Sequence, residues 1–92
     1  MAVVTDRIRE RAIEDFGADS PQILGALERL GVSGSVDPER VHAAVLIAAR
    51  GSRTVFTDAL EHAESDWRDL LDRAGLADAG WADAVTAHFG TP

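Results

Sequence analysis

Between Thr54 and Ala74 every apolar side chain falls on one helical stripe: Val55, Phe56, Ala59, Leu60, Ala63, Trp67, Leu70, Leu71 and Ala74. The steps between them run one, three, one, three, four, three, one and three. A half-buried strand alternates every second residue, so this spacing excludes a strand and specifies an amphipathic helix. A helix of that length with one apolar face must bury it against other elements. Gly75 then offers a left-handed stop, and Leu76 beside it the apolar contact of a Schellman ending.

The remainder of the chain is punctuated for helices too. Thr5 reads as an N-cap, because its hydroxyl can accept from the free amides of a first turn. Ile8, Ala12, Ile13 and Phe16 then form a buried side that ends at Gly17. Ser20-Pro21 supplies a cap and a proline at the first helical position, where the missing amide costs nothing. That helix carries Ile23, Leu24, Leu27 and Leu30 up to a stop at Gly31. Asp37-Pro38 repeats the signature and opens a third helix reaching Arg50, before Gly51. Val41, Ala44, Val45, Leu46, Ile47 and Ala48 cover most of its circumference, which places it at the centre. Asp78 is read as the cap of a short last helix bearing Trp81, Val85 and Phe89 and ending at Gly90. The expected fold is all-α, a compact bundle of about five helices over 5–16, 21–30, 38–50, 54–74 and 79–89. The connections are short, as between antiparallel neighbours. A chain of 92 residues forms one domain, 1–92.

Charge and composition narrow the function. Sixteen acids face nine basic residues, all arginine, for a net charge of −7, and there is no cysteine. A disulfide framework, a thiolate metal site and a cysteine nucleophile are therefore excluded. No apolar run approaches the roughly twenty residues of a membrane span, and no targeting segment is visible; a cytoplasmic protein is expected. An acidic chain is poorly suited to phosphate backbones, which need Lys and Arg to displace counterions. The short turn at Gly51 would suit a helix-turn-helix, but the helix entering the groove would carry Asp58, Glu61, Glu64, Asp66, Asp69 and Asp72 against Arg68 and Arg73. That surface repels nucleic acid.

Three clusters carry possible chemistry. Asp58, His62 and Asp66, four residues apart with Asp69 alongside, share one edge of the fourth helix. Two carboxylates and an imidazole could ligate a divalent metal if another element completed the set; the plainer reading is a solvated acidic edge. Arg50, Ser52 and Arg53 surround a helix start, where free amides and guanidiniums would hold an anion. The plainer reading makes Ser52 or Thr54 a cap and gives Arg50 to the preceding helix's carbonyls. Trp81, on a short terminal helix, is a candidate partner contact together with Asp69 and Asp72, since Trp is enriched at interface hot spots. His42 reads as a half-buried, hydrogen-bonded core residue, and His88 as a partner of its helix dipole.

No serine or threonine has a convincing His and acid beside it, so no catalytic residue is assigned and no cofactor is expected. Residues 1–56 hold eight acids and seven arginines; residues 57–92 hold eight acids and two arginines. The excess charge belongs to the fourth helix and the segment after it. The expected function is a non-catalytic protein-interaction or regulatory module using the acidic face of residues 57–83, with a protein partner or a second copy of itself. The alternative is a ligand- or metal-binding domain using the His62 edge or the Arg50–Arg53 turn.

Overall fold

Five α-helices account for the chain in a computed structural model that describes residues 3–91: α1 (Asp6–Phe16), α2 (Ser20–Arg29), α3 (Pro38–Ala49), α4 (Arg53–Ala74) and α5 (Trp81–Phe89). Asp37 caps α3 as its sequence position implies, its carboxylate accepting from the Glu39 amide. Ser52 caps α4 by accepting from the Val55 amide. At the other end of α4, Gly75 is left-handed (φ 77°, ψ 23°). The Leu76 amide donates to the Leu71 carbonyl at 2.8 Å, and Gly75 donates to Asp72 at 3.2 Å. These are the two bonds of a Schellman ending, and Leu76 is fully buried beside it.

Other boundaries differ from the expectation. Thr5 sits at the N-cap of α1 but makes no capping bond; its hydroxyl donates instead to Glu39. Ser20 lies inside α2 rather than capping it, because a 3₁₀ turn, Gly17–Asp19, carries α1 directly into α2. Gly31 does not stop α2, which ends at Arg29 with Leu30 extended (φ −64°, ψ 122°). Asp78 does not cap α5: its carboxylate accepts from the Gly80 amide, and the helix starts at Trp81.

The largest departure lies within α4. Asp66 is extended (φ −157°, ψ 87°), and its carboxylate accepts from the Asp69 amide at 3.2 Å. It therefore acts as an internal N-cap, dividing α4 into arms over 53–65 and 67–74. Fifteen residues of straight helix would span about 22 Å. Yet the Arg73 guanidinium lies 3.1 Å from Asp58, fifteen positions earlier. The arms fold towards each other, and the single stripe becomes two short ones. Phe56, Ala59 and Ala63 are buried from the first arm, Leu70 and Leu71 from the second.

α3 is the central helix. Its six consecutive residues Val41–Leu46 are buried, and it packs against α1, α4 and α5, most extensively against α4. Ala43, Ala44 and Ala49 of α3 and Ala59 and Ala63 of α4 are buried small residues, which let helix backbones approach closely. An edge-on contact of Phe16 and Phe56, centroids 5.6 Å apart, joins α1 to α4.

A polar clasp joins α1 to the start of α3 and to the end of α5. Arg7 holds Glu39 with two prongs, Nε to Oε2 at 2.8 Å and Nη2 to Oε1 at 2.6 Å. Its third nitrogen donates to the Gly90 carbonyl at 2.9 Å and to the Thr86 hydroxyl at 3.3 Å. Arg11 donates to the His88 carbonyl and lies over the Phe89 ring. Arginines of α1 thus satisfy carbonyls that the end of α5 leaves open. Because Arg7 bonds to it, the Glu39 carboxyl titrates below its ordinary range.

Candidate functional site

Six of the eight acids of residues 57–83 lie on α4, with Asp78 in the following connection and Asp83 on α5. All eight acids of residues 57–83 are exposed. Arg73 reaches back across the elbow and donates to both Asp58 and His62 Nδ1, at 3.1 and 3.2 Å. His62 Nε2 lies 2.8 Å from Asp69. An imidazole protonated on Nε2 satisfies both contacts together, accepting from Arg73 and donating to Asp69.

The edge expected to gather a metal is therefore organised around a guanidinium. Asp58 and His62 meet only through Arg73, and the Asp66 carboxylate is engaged at the elbow. Among the described residues no group of three or more His or carboxylate side chains converges as a metal cage. Sequence spacing does not single out Arg73, because a continuous helix would place it far from Asp58. The signal for the bend is Asp66-Trp67-Arg68-Asp69, an N-cap residue followed three positions later by an acid.

Asp72 is exposed and makes no ion pair among the described residues, whereas Asp69 is held by His62. Trp81 is half-buried, with the Arg40 guanidinium 5.1 Å from its ring centre. Trp67 is half-buried as well, with Arg68 at 4.7 Å. Arg40, Trp67, Arg68, Leu71 and Ala77 line a shallow hollow of about 240 Å³. Of the two arginines in the acidic half, one is thus committed to Asp58 and His62, and the other stacks on Trp67.

The Arg50–Arg53 turn is pulled apart by the fold. Ser52 is engaged as the α4 cap. Arg53 turns towards α2, donating to Gln22 at 3.1 Å and pairing with Asp19 at 3.6 Å. The backbone amide of Arg50 bonds to the Leu46 carbonyl, and the residue lines a separate hollow shared with α1 and α5.

His42 is fully buried, not half-buried, and neither ring nitrogen makes a hydrogen bond. The Leu27 backbone and the charges of Asp37 and Glu39 favour its protonated form, but burial outweighs them and lowers its pKa from 6.5. The unfolded chain therefore takes up a proton more readily than the folded one. The stabilising contribution is complete above pH 6.5 and is lost as pH falls towards the folded value. Melting curves between about pH 7.5 and pH 5.5 should show stability falling by up to about 1.4 kcal/mol per pH unit. His42→Leu removes the orphaned nitrogens and should flatten that slope. An equal slope in the variant would assign it to another group.

The chain matches no family model, no curated protein and no solved structure. What the fold and the site define is an all-α bundle in which every acid of residues 57–83 is exposed.

Proposed function

We propose that the protein is a non-catalytic interaction or regulatory module whose residues 57–83 dock on a basic protein partner. One observation carries this reading: folding leaves that segment's charge uncompensated. Its eight acids are all exposed, and only Asp58 and Asp69 engage a basic side chain among the described residues. Glu61, Glu64, Asp72, Asp78 and Asp83 face solvent with no ion pair there. Like charges held together cost stability, while a face of one sign steers an opposite partner and speeds its association. The same repulsion disfavours a second copy of this face as the partner. Half-buried Trp81 supplies the apolar area that charge alone lacks. No described helix is long and apolar enough to cross a membrane. A cytoplasmic setting belongs to the same proposal, since the chain has no cysteine and needs no oxidising compartment.

The test is a titration of the partner captured by the protein at low salt. Affinity should weaken about tenfold or more between about 50 and 500 mM NaCl. The triple variant Glu61→Lys, Glu64→Lys, Asp72→Lys should weaken it comparably. Reversing Glu10 and Glu14 on α1 should leave it unchanged. A partner indifferent to both salt and the triple variant would refute the reading.

A further inference from the structure

Arg50 is the one non-glycine residue with positive φ among those described (φ 49°, ψ 41°). An L side chain is strained there, and such strain persists where surrounding structure imposes it. The next residue shows what imposes it. Gly51 (φ 77°) packs so closely on α1 that a Cβ would lie 3.3 Å from the Asp15 carbonyl. This contact pins the α3–α4 turn to α1 and sets Arg50 at the rim of a hollow of about 320 Å³. Its lining is Arg11, Asp15, Leu46, Ile47, Arg50 and His88.

The polar groups of that lining leave several donors open. Arg50 makes no side-chain hydrogen bond or ion pair among the described residues, although the chain has seven more acids than bases. Arg11 spends Nε on Asp15 and Nη1 on the His88 carbonyl, which leaves Nη2. The His88 ring is exposed and lies against Phe89. Asp15 is the one carboxylate in the lining and is already paired with Arg11. Two guanidiniums against one carboxylate leave a single positive charge, which matches a monoanion. The same lining holds buried Leu46 and half-buried Ile47, its apolar part.

We propose that this hollow binds a small organic carboxylate with a short apolar tail. The carboxylate lies against the Arg50 fork and Arg11 Nη2, in the planar geometry that guanidinium offers. The tail covers Leu46 and Ile47. The volume is at the low end of the roughly 300–1,000 Å³ typical of ligand sites, so the ligand is small. This site is separate from the acidic face, and its test does not depend on any protein partner.

The experiment is an amide NMR titration of the full chain at constant ionic strength with hexanoate, acetate, hexanol and inorganic phosphate. Hexanoate should give saturable shifts centred on Arg11, Leu46, Ile47, Arg50 and His88, with acetate about fivefold or more weaker. Hexanol and phosphate should give none that saturate. Arg50→Gly suits the positive φ, so it keeps the fold, and it should weaken hexanoate about tenfold or more. Arg50→Lys keeps the charge without the fork and should fall between. Absence of saturable hexanoate shifts, equal affinity in Arg50→Gly, or phosphate binding as tight as hexanoate would each overturn the assignment.

Discussion

Glu39→Ala is expected to destabilise the fold by about 3 kcal/mol, a fall in Tm of roughly 12–24 °C for a domain of this size. The Arg7 side chain is 9% exposed and that of Glu39 14%, so the pair lies largely out of water. Removing the carboxylate strands a guanidinium that cannot lose its proton, and it leaves the Thr5 hydroxyl without an acceptor. It also frees Arg7 from the orientation in which it reaches Thr86 and Gly90, so α5 loosens with it. Arg7→Ala in the Glu39→Ala background should cost much less than in the wild type, because the two side chains act as a unit. The acid limb gives a second check. Arg7 holds the Glu39 carboxyl below its ordinary 4.5, so its contribution is present above that pH and is lost as pH falls through the folded value. Wild-type protein should lose stability over that range more steeply than Glu39→Ala. A loss under about 1 kcal/mol on urea unfolding would show that the pair behaves like an exposed one.

Leu70→Ala is expected to cost about 3–4 kcal/mol. Leu70 is fully buried. It belongs to the second arm of α4, over 67–74, far shorter than the roughly 12–15 residues an isolated helix needs in water. Packing, not propensity, keeps that arm helical, and Leu70 and Leu71 are its two buried side chains. The truncation should therefore do more than open a cavity. As the arm loosens, Arg73 should leave Asp58 and His62. The His62 ring resonances should move towards those of an Arg73→Ala protein, and Trp67 fluorescence should shift to the red. Lost stability with unmoved His62 resonances would show that the arm stays docked without Leu70.

How much of this is legible in the sequence depends on the range of the forces involved. Asp37-Pro38, Ser52 and the Gly75-Leu76 ending are readable because caps and Schellman bonds are made within a few residues. The central position of α3 is readable because a helix apolar over most of its circumference has no other place. The elbow is invisible to hydrophobic periodicity for a specific reason. Between Ala63 and Trp67 the stripe takes a step of four, which a continuous helix also allows, so the break leaves the periodicity intact. Ser20 and Gly31 mislead because both residues are permissive: a serine can sit inside a helix, and a chain can leave one through an extended Leu30. For the site, the excess of acids over residues 57–83 is visible as a charge count. The placement of Arg73 follows from a bend whose one local signal is the Asp66–Asp69 cap, and that of Arg50 with Arg11 and His88 arises from tertiary geometry that no local pattern encodes.

The joint between α1 and α5 is chemically one-sided. The arginine forks come from α1, while two of their three polar contacts on α5 are main-chain carbonyls, those of His88 and Gly90. Every amino acid carries that acceptor, so exposed positions of α5 other than Thr86, whose hydroxyl is the third contact, can vary in type without weakening the joint. Gly90, the residue after α5, is a second exception, because it presents its oxygen from a conformation open to glycine (φ 87°, ψ 178°). Tolerance to substitution should therefore be unequal across one contact, narrow at Arg7 and Arg11 and broad along the exposed side of the helix they hold.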